Sequence, residues 1–138
     1  MKKLLIITAL LLFAGFCIGQ TMQKGTVLSI YPFSVKLAAN VTIDQYLDFL
    51  VNKHLPEVEK HFKGTEIFLS KADRGENNNQ LALIWYFKTK EERDKYINSE
   101  GWTELGQTKS EKISTWEGLN SLGEWNSTVT NWVILNDI

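Results

Sequence analysis

The sequence has one cysteine and two prolines among its 138 residues, and it has no cluster of lysine and arginine. A single cysteine cannot form an intramolecular disulfide, which excludes a disulfide-stabilised scaffold. Without a basic run that contains aromatic residues, the chain lacks the surface that binds nucleic acid, so we expect no nucleic-acid partner. What is present, 43% hydrophobic and 22% charged residues, is typical of one globular domain with its own core.

The start of the chain predicts a secretory signal peptide. Two lysines precede an uncharged run over residues 4–16, and small residues follow at Cys17 and Gly19. The run is shorter than the roughly 20 residues that cross a bilayer as a helix, so we expect cleavage rather than a permanent anchor. The prediction is a signal peptide at 1–19 and one domain at 20–138, periplasmic or secreted from a bacterium, with no membrane contact after cleavage.

Cys17 leaves a lipoprotein as the alternative, with lipid on the first mature residue. Phe16 disfavours it, because a lipobox needs a small residue at that position. If cleavage follows Gly19, the mature chain has no cysteine, and its stability depends on a packed core.

The pattern of the mature chain predicts a ferredoxin-like α+β fold. Strands are indicated by β-branched and aromatic residues, and helices by apolar residues at three- and four-residue spacing. The strands are predicted at 26–37, 65–72, 80–88 and 128–135, and the helices at 42–62 and 89–101, with one extra short helix that begins at Thr108. This order is the split βαβ arrangement, βαββαβ.

Both prolines interrupt a predicted element. Pro32 lies inside the first strand, which predicts a bulge or an edge position. Pro56 lies inside the first helix and cannot donate to Asn52, which predicts a kink or a break near Leu55.

The third strand is apolar on both of its faces. Side chains alternate across a strand, so one face carries Leu81, Leu83, Trp85 and Phe87, and the other carries Ala82, Ile84 and Tyr86. Two helices cover only one face of a four-stranded sheet, so the second face needs the inserted segment or another copy of the sheet. We expect a homodimer whose sheets close into a barrel.

The element order, the aromatic third strand and the segment Ser99-Glu100-Gly101-Trp102 resemble the dimeric α/β-barrel superfamily over residues 25–135. This superfamily includes antibiotic-biosynthesis monooxygenases, haem-degrading monooxygenases, NIPSNAP-like proteins and stress-responsive barrel proteins. The resemblance implies a ferredoxin-like homodimer. Haem-degrading members carry an Asn on the first strand, a His on the second helix and a Trp on the third strand. Only Trp85 has a counterpart in this sequence, so haem degradation of that type is not expected.

The two histidines, His54 and His61, mark the candidate site. On a wheel at about 100° per residue both fall on the apolar face of the first helix. They are candidate catalytic residues, as bases that titrate near neutral pH, or candidate ligand contacts. The alternative is that each is a packed histidine with one ring nitrogen bonded to the backbone. The predicted ligand-binding residues are Tyr31, Leu50, His54, His61, Trp85, Tyr86 and Trp132.

No motif for a metal, a cofactor or a nucleophile is present, so we expect none of them. The two histidine rings would be about 10 Å apart along the helix axis, too far to share one zinc ion. Three functions stay open: binding of a small apolar or aromatic compound under the first helix, cofactor-independent oxygenation of such a compound with a histidine base, and a structural or interaction role with a filled core.

Overall fold

The computed structural model describes residues 22–136, and its main element is an antiparallel sheet. The predicted signal peptide, with Cys17, lies outside the described residues. The strands of the sheet are β1 (Val27–Leu37), β2 (Thr65–Lys71), β3 (Leu81–Phe87), β6 (Gly123–Ser127) and β7 (Thr130–Val133). They have the order β2-β3-β1-β6, and β7 also pairs with β1.

Five α-helices and a small hairpin complete the described part of the chain. They are α1 (Ile43–Phe49), α2 (Leu55–His61), α3 (Lys90–Asp94), the hairpin strands β4 (Ile97–Asn98) and β5 (Gly101–Trp102), α4 (Glu104–Glu111) and α5 (Trp116–Leu122). With the strand order, this arrangement confirms the α+β, ferredoxin-like fold. Within residues 22–136 no helix is long and apolar enough to cross a membrane.

Pro32 occupies an interior strand rather than the predicted edge or bulge. The pairing of β1 with β3 continues through it, with Pro32 opposite Ala82. On the other side, pairing stops after Phe33 opposite Ser127 and resumes at Ile30 opposite Thr130. Proline has no N–H to donate to a neighbouring strand. The pairing is interrupted only on the side of β6 and β7, and the pairing with β3 is unaffected. The predicted last strand, 128–135, is the shorter strand β7, and the unpredicted strand β6 precedes it in the same register along β1.

The first helix begins where the sequence predicts and continues past its proline. Thr42 caps it: the Gln45 N–H donates to Thr42 Oγ1 at 3.2 Å, and the Thr42 N–H donates to Gln45 Oε1 at 2.9 Å. Between α1 and α2, residues 50–54 form a π-helical turn, closed by a bond from the Leu55 N–H to the Leu50 carbonyl. This wider turn lies directly before Pro56 and takes the place of the predicted break.

The segment after β3 differs from the prediction. Thr89 caps a helix as expected, accepting from the Glu92 N–H at 3.1 Å, but α3 ends at Asp94. The chain then turns into the hairpin β4–β5, which buries Tyr96 against Phe62 with ring centroids 5.1 Å apart. The single extra helix predicted from Thr108 is in fact two, α4 and α5.

The two faces of the sheet have different surroundings. The inner face packs on the helices and contributes Val27, Phe33, Ile67, Leu83 and Phe87 to the core. The outer face is also apolar, yet its side chains are outside that core cluster, and Phe68 and Trp132 are 50% and 58% exposed. Its apolar members are Leu28, Ile30, Phe68, Ala82, Ile84, Tyr86 and Trp132.

Candidate functional site

A small cavity lies between the first helix, α5 and the inner face of the sheet. It offers about 80 Å³ to the centres of water-sized molecules. None of its lining residues is an acid, a lysine or an arginine. They are Tyr31, Leu50, His54, Leu55, Val58, Phe62, Leu83, Trp85, Trp102, Ile113, Trp116, Leu119 and Trp125.

Aromatic rings dominate the lining of the cavity. Four of the five tryptophans belong to it, the exception being Trp132. Fully buried Phe62 connects two of them, with ring centroids 5.7 Å from Trp85 and 5.4 Å from Trp102. Trp102 and Trp125 are 47% and 38% exposed, so they mark the mouth. Such a lining suits a flat apolar or aromatic compound.

His54 is the one titratable base in the lining, and it is 3% exposed. Its Nδ1 lies 2.8 Å from Thr115 Oγ1, and the ring meets Trp116 edge-on at 4.4 Å between centroids. Burial lowers the pKa of His54 from 6.5 to about 4. The imidazole is therefore neutral at pH 7 and a weak base, unlike the near-neutral base expected from the sequence.

Five side-chain polar atoms of the lining residues have no hydrogen-bond partner within residues 22–136: the Tyr31 hydroxyl, His54 Nε2 and the indole nitrogens of Trp85, Trp102 and Trp125. No fully buried side-chain nitrogen or oxygen in this part of the chain lacks a partner, so these atoms contact open space. Burial raises the pKa of Tyr31, with Arg93 opposing it, so this hydroxyl is also uncharged at pH 7. The site thus combines an apolar wall with neutral polar groups.

The structure brings four of the predicted ligand-binding residues together around the cavity: Tyr31, Leu50, His54 and Trp85. The helical stripe placed Leu50 and His54 correctly on the inner side of the first helix. Tyr31 and Trp85 are diagonal neighbours on the adjacent strands β1 and β3, with ring centroids 6.0 Å apart.

The other three predicted residues lie elsewhere. His61 does not line the cavity, and its Nε2 lies 3.2 Å from Glu57 Oε1 at the partly exposed side of α2. The π turn adds one residue and so rotates the following residues by about 100°, which places Phe62 inward instead. Tyr86 and Trp132 lie on the outer face, since side chains alternate along a strand.

Sequence reasoning left nine lining residues out of the candidate site, among them three aromatic residues that contact the predicted ones: Phe62, Trp102 and Trp116. Phe62 was in the apolar stripe of the first helix, one position from His61. Both tryptophans lie in the half of the chain where the predicted elements were least regular. The signal that could have found them is the concentration of tryptophan in that half.

Within the described range, no three histidine, cysteine, aspartate or glutamate side chains lie close enough to hold a metal ion.

No protein-family model and no curated protein matches this sequence. Solved structures give loose likenesses. One is a dimeric protein of unknown function and ferredoxin-like fold from Bacteroides fragilis, 12% identical, with a TM-score of 0.46, over 81% of this chain and 99% of that one. Another is the de novo designed protein Foldit4, 15% identical, with a TM-score of 0.35, over 76% of this chain and 94% of that one. Neither likeness bears on function.

Proposed function

We propose that this protein binds a small, neutral apolar or aromatic compound in the cavity under its first helix. The observation that carries the proposal is the lining itself, which is rich in aromatic rings and has no permanently charged side chain. An apolar wall with a few polar groups is the usual form of a small-molecule site. The cavity is small beside the roughly 300–1,000 Å³ of such sites, so its occupant is about the size of a single ring.

The proposal includes export and self-association. The amino-terminal sequence supports export to the periplasm or the medium. The apolar outer face supports a homodimer, because an apolar sheet face needs cover from water and the helices pack on the inner face. Membership of the dimeric α/β-barrel superfamily is part of the same proposal, and it rests on the element order together with this outer face.

Ligand binding is tested by filling the cavity. Val58 is 2% exposed and lines the cavity, whereas Val51 on the same helix is 39% exposed and does not. Toluene added to a protein of residues 20–138 should change its tryptophan fluorescence, and the change should reach a plateau as the toluene concentration rises. Val58→Phe should abolish that response, and the matched control Val51→Phe should keep it, with thermal melting confirming that both variants fold. A wild-type protein with no saturable response would refute the proposal.

Self-association is tested on the outer face. Native mass spectrometry of residues 20–138 should give the mass of a dimer. Additional mass on that dimer would reveal a compound that it has bound in the host. Phe68→Glu places a charge on the outer face and should give a monomer, while Val51→Glu, on the exposed side of the first helix, should stay dimeric. A wild-type monomer, or a dimer unaffected by Phe68→Glu, would rule out this interface.

A further inference from the structure

One buried polar group stands out in the apolar cavity. His54 is buried, and only 3% of its surface is exposed to solvent. One ring nitrogen, Nδ1, is bonded to Thr115, and the other, Nε2, has no partner within the described residues. No fully buried side-chain nitrogen lacks a partner in this part of the chain, so Nε2 still contacts open space. A ligand that fills the cavity would cover this atom, which is unfavourable unless a ligand atom itself bonds to Nε2.

We infer that the cavity selects a neutral ring compound with one hydrogen-bonding group, which bonds to His54 Nε2 while Thr115 holds the imidazole in place. This inference rests on the proposed function and names the chemistry of its ligand. Thr115 is a positioning residue, since it acts on the ligand through His54.

The position of Thr115 supports this role. It lies at the N-cap of α5, where a threonine side chain ordinarily accepts from a backbone N–H of the first turn. Here it makes no capping hydrogen bond, and its hydroxyl contacts His54 Nδ1 at 2.8 Å instead. The next residue, Trp116, donates its indole N–H to the Ser110 carbonyl at 3.1 Å and holds its ring edge-on to His54. Two consecutive residues thus fix the imidazole plane.

The lining also excludes charged compounds. It contains no lysine, arginine, aspartate or glutamate that could pair with an ionised group. A charged ligand would lose its hydration in an apolar cavity without an opposite charge to replace it. The neutral imidazole can donate or accept at Nε2, depending on which way the Thr115 hydroxyl points. A ligand hydroxyl can do both, so it fits either arrangement.

The test uses three probes of nearly the same shape: phenol, toluene and benzoate. Phenol replaces the toluene methyl group with a hydroxyl, and benzoate adds a negative charge. Isothermal titration of residues 20–138 should show phenol binding about three- to tenfold more tightly than toluene, the gain of one hydrogen bond. Benzoate should show no measurable binding.

Two variants assign the preference to its residues. In His54→Phe the order should invert, because phenol loses hydration and gains no bond in an apolar cavity. Thr115→Val, which keeps the shape of the side chain but removes the hydroxyl, should reduce the phenol preference and leave toluene affinity unchanged. Thr115→Ser should restore the preference. Loss of toluene affinity together with phenol affinity would show a purely structural role for Thr115.

The absence of a binding site and the absence of selection by His54 give different results. If none of the three probes binds, the proposed function is wrong. If toluene binds as tightly as phenol to the wild-type protein, the cavity is a binding site but His54 does not select its ligand. This comparison uses the wild-type chain alone, so it holds even where His54→Phe does not fold.

Discussion

Acid should destabilise this protein through His54. Burial holds the pKa of the His54 imidazole at about 4, against 6.5 for an unperturbed histidine. Between these two values the unfolded chain binds a proton at this residue and the folded chain does not. Stability therefore falls as the pH falls from about 6.5 to about 4, and this contribution is constant above and below that window.

The size of the effect follows from the pKa difference. Each pH unit between the two pKa values corresponds to about 1.4 kcal/mol. The full difference gives about 3 kcal/mol. That is a large share of the roughly 5–15 kcal/mol by which domains are stable.

The assay is urea unfolding of residues 20–138 at a series of pH values, for the wild type and for His54→Gln. Glutamine is neutral throughout and keeps a polar group near Thr115, so the variant should lack the loss that His54 causes. His61→Gln is the matched control, because His61 lies outside the cavity, and it should retain that loss. A difference in unfolding free energy between wild type and His54→Gln that does not change with pH would refute the reasoning.

Two further predictions concern backbone positions that shape the fold. Gly106→Ala should cost more than about 2 kcal/mol in urea unfolding, since an added Cβ would lie 2.1 Å from the Tyr96 carbonyl oxygen. Gly75→Ala meets no neighbour within 4 Å and should cost only about 1 kcal/mol, from its positive φ of 98°. Equal losses would contradict the clash. Thr42→Ala should lower stability by about 1 kcal/mol through loss of the N-cap, and Thr42→Ser should not; a fully stable alanine variant would show that the cap is dispensable.

The sequence predicts the sheet and the start of the first helix well, because both depend on local patterns. Strict alternation in residues 81–87 assigns each side chain to a face, and Thr42 with Gln45 forms a capping box that is readable directly. The interior position of Pro32 could not be predicted, because it depends on which strands pair on either side. Only the tertiary structure shows that Pro32 keeps its pairing with β3 although it has no backbone N–H to donate.

The candidate site was predicted in part for the same reason. Leu50 and His54 are the first and last residues of the π turn, and both still line the cavity. His61 lies after the turn, and one added residue is enough to move it from the cavity to the partly exposed side. Trp102 and Trp116 come from the short hairpin and α5, whose positions depend on packing against Phe62 and His54 rather than on local propensity.

The pairing of β1 with β6 and β7 has a kinetic consequence. These strands come from nearly opposite ends of the described chain, with Val27 opposite Val133. Their pairing therefore closes a loop of about a hundred residues. Such distant contacts slow folding, since the entropy of loop closure is lost before the pairing rewards it. Until residues 123–133 dock, one side of β1 is an open strand edge on which another chain could pair. A slow final docking step, with aggregation as its competitor, is therefore expected during refolding.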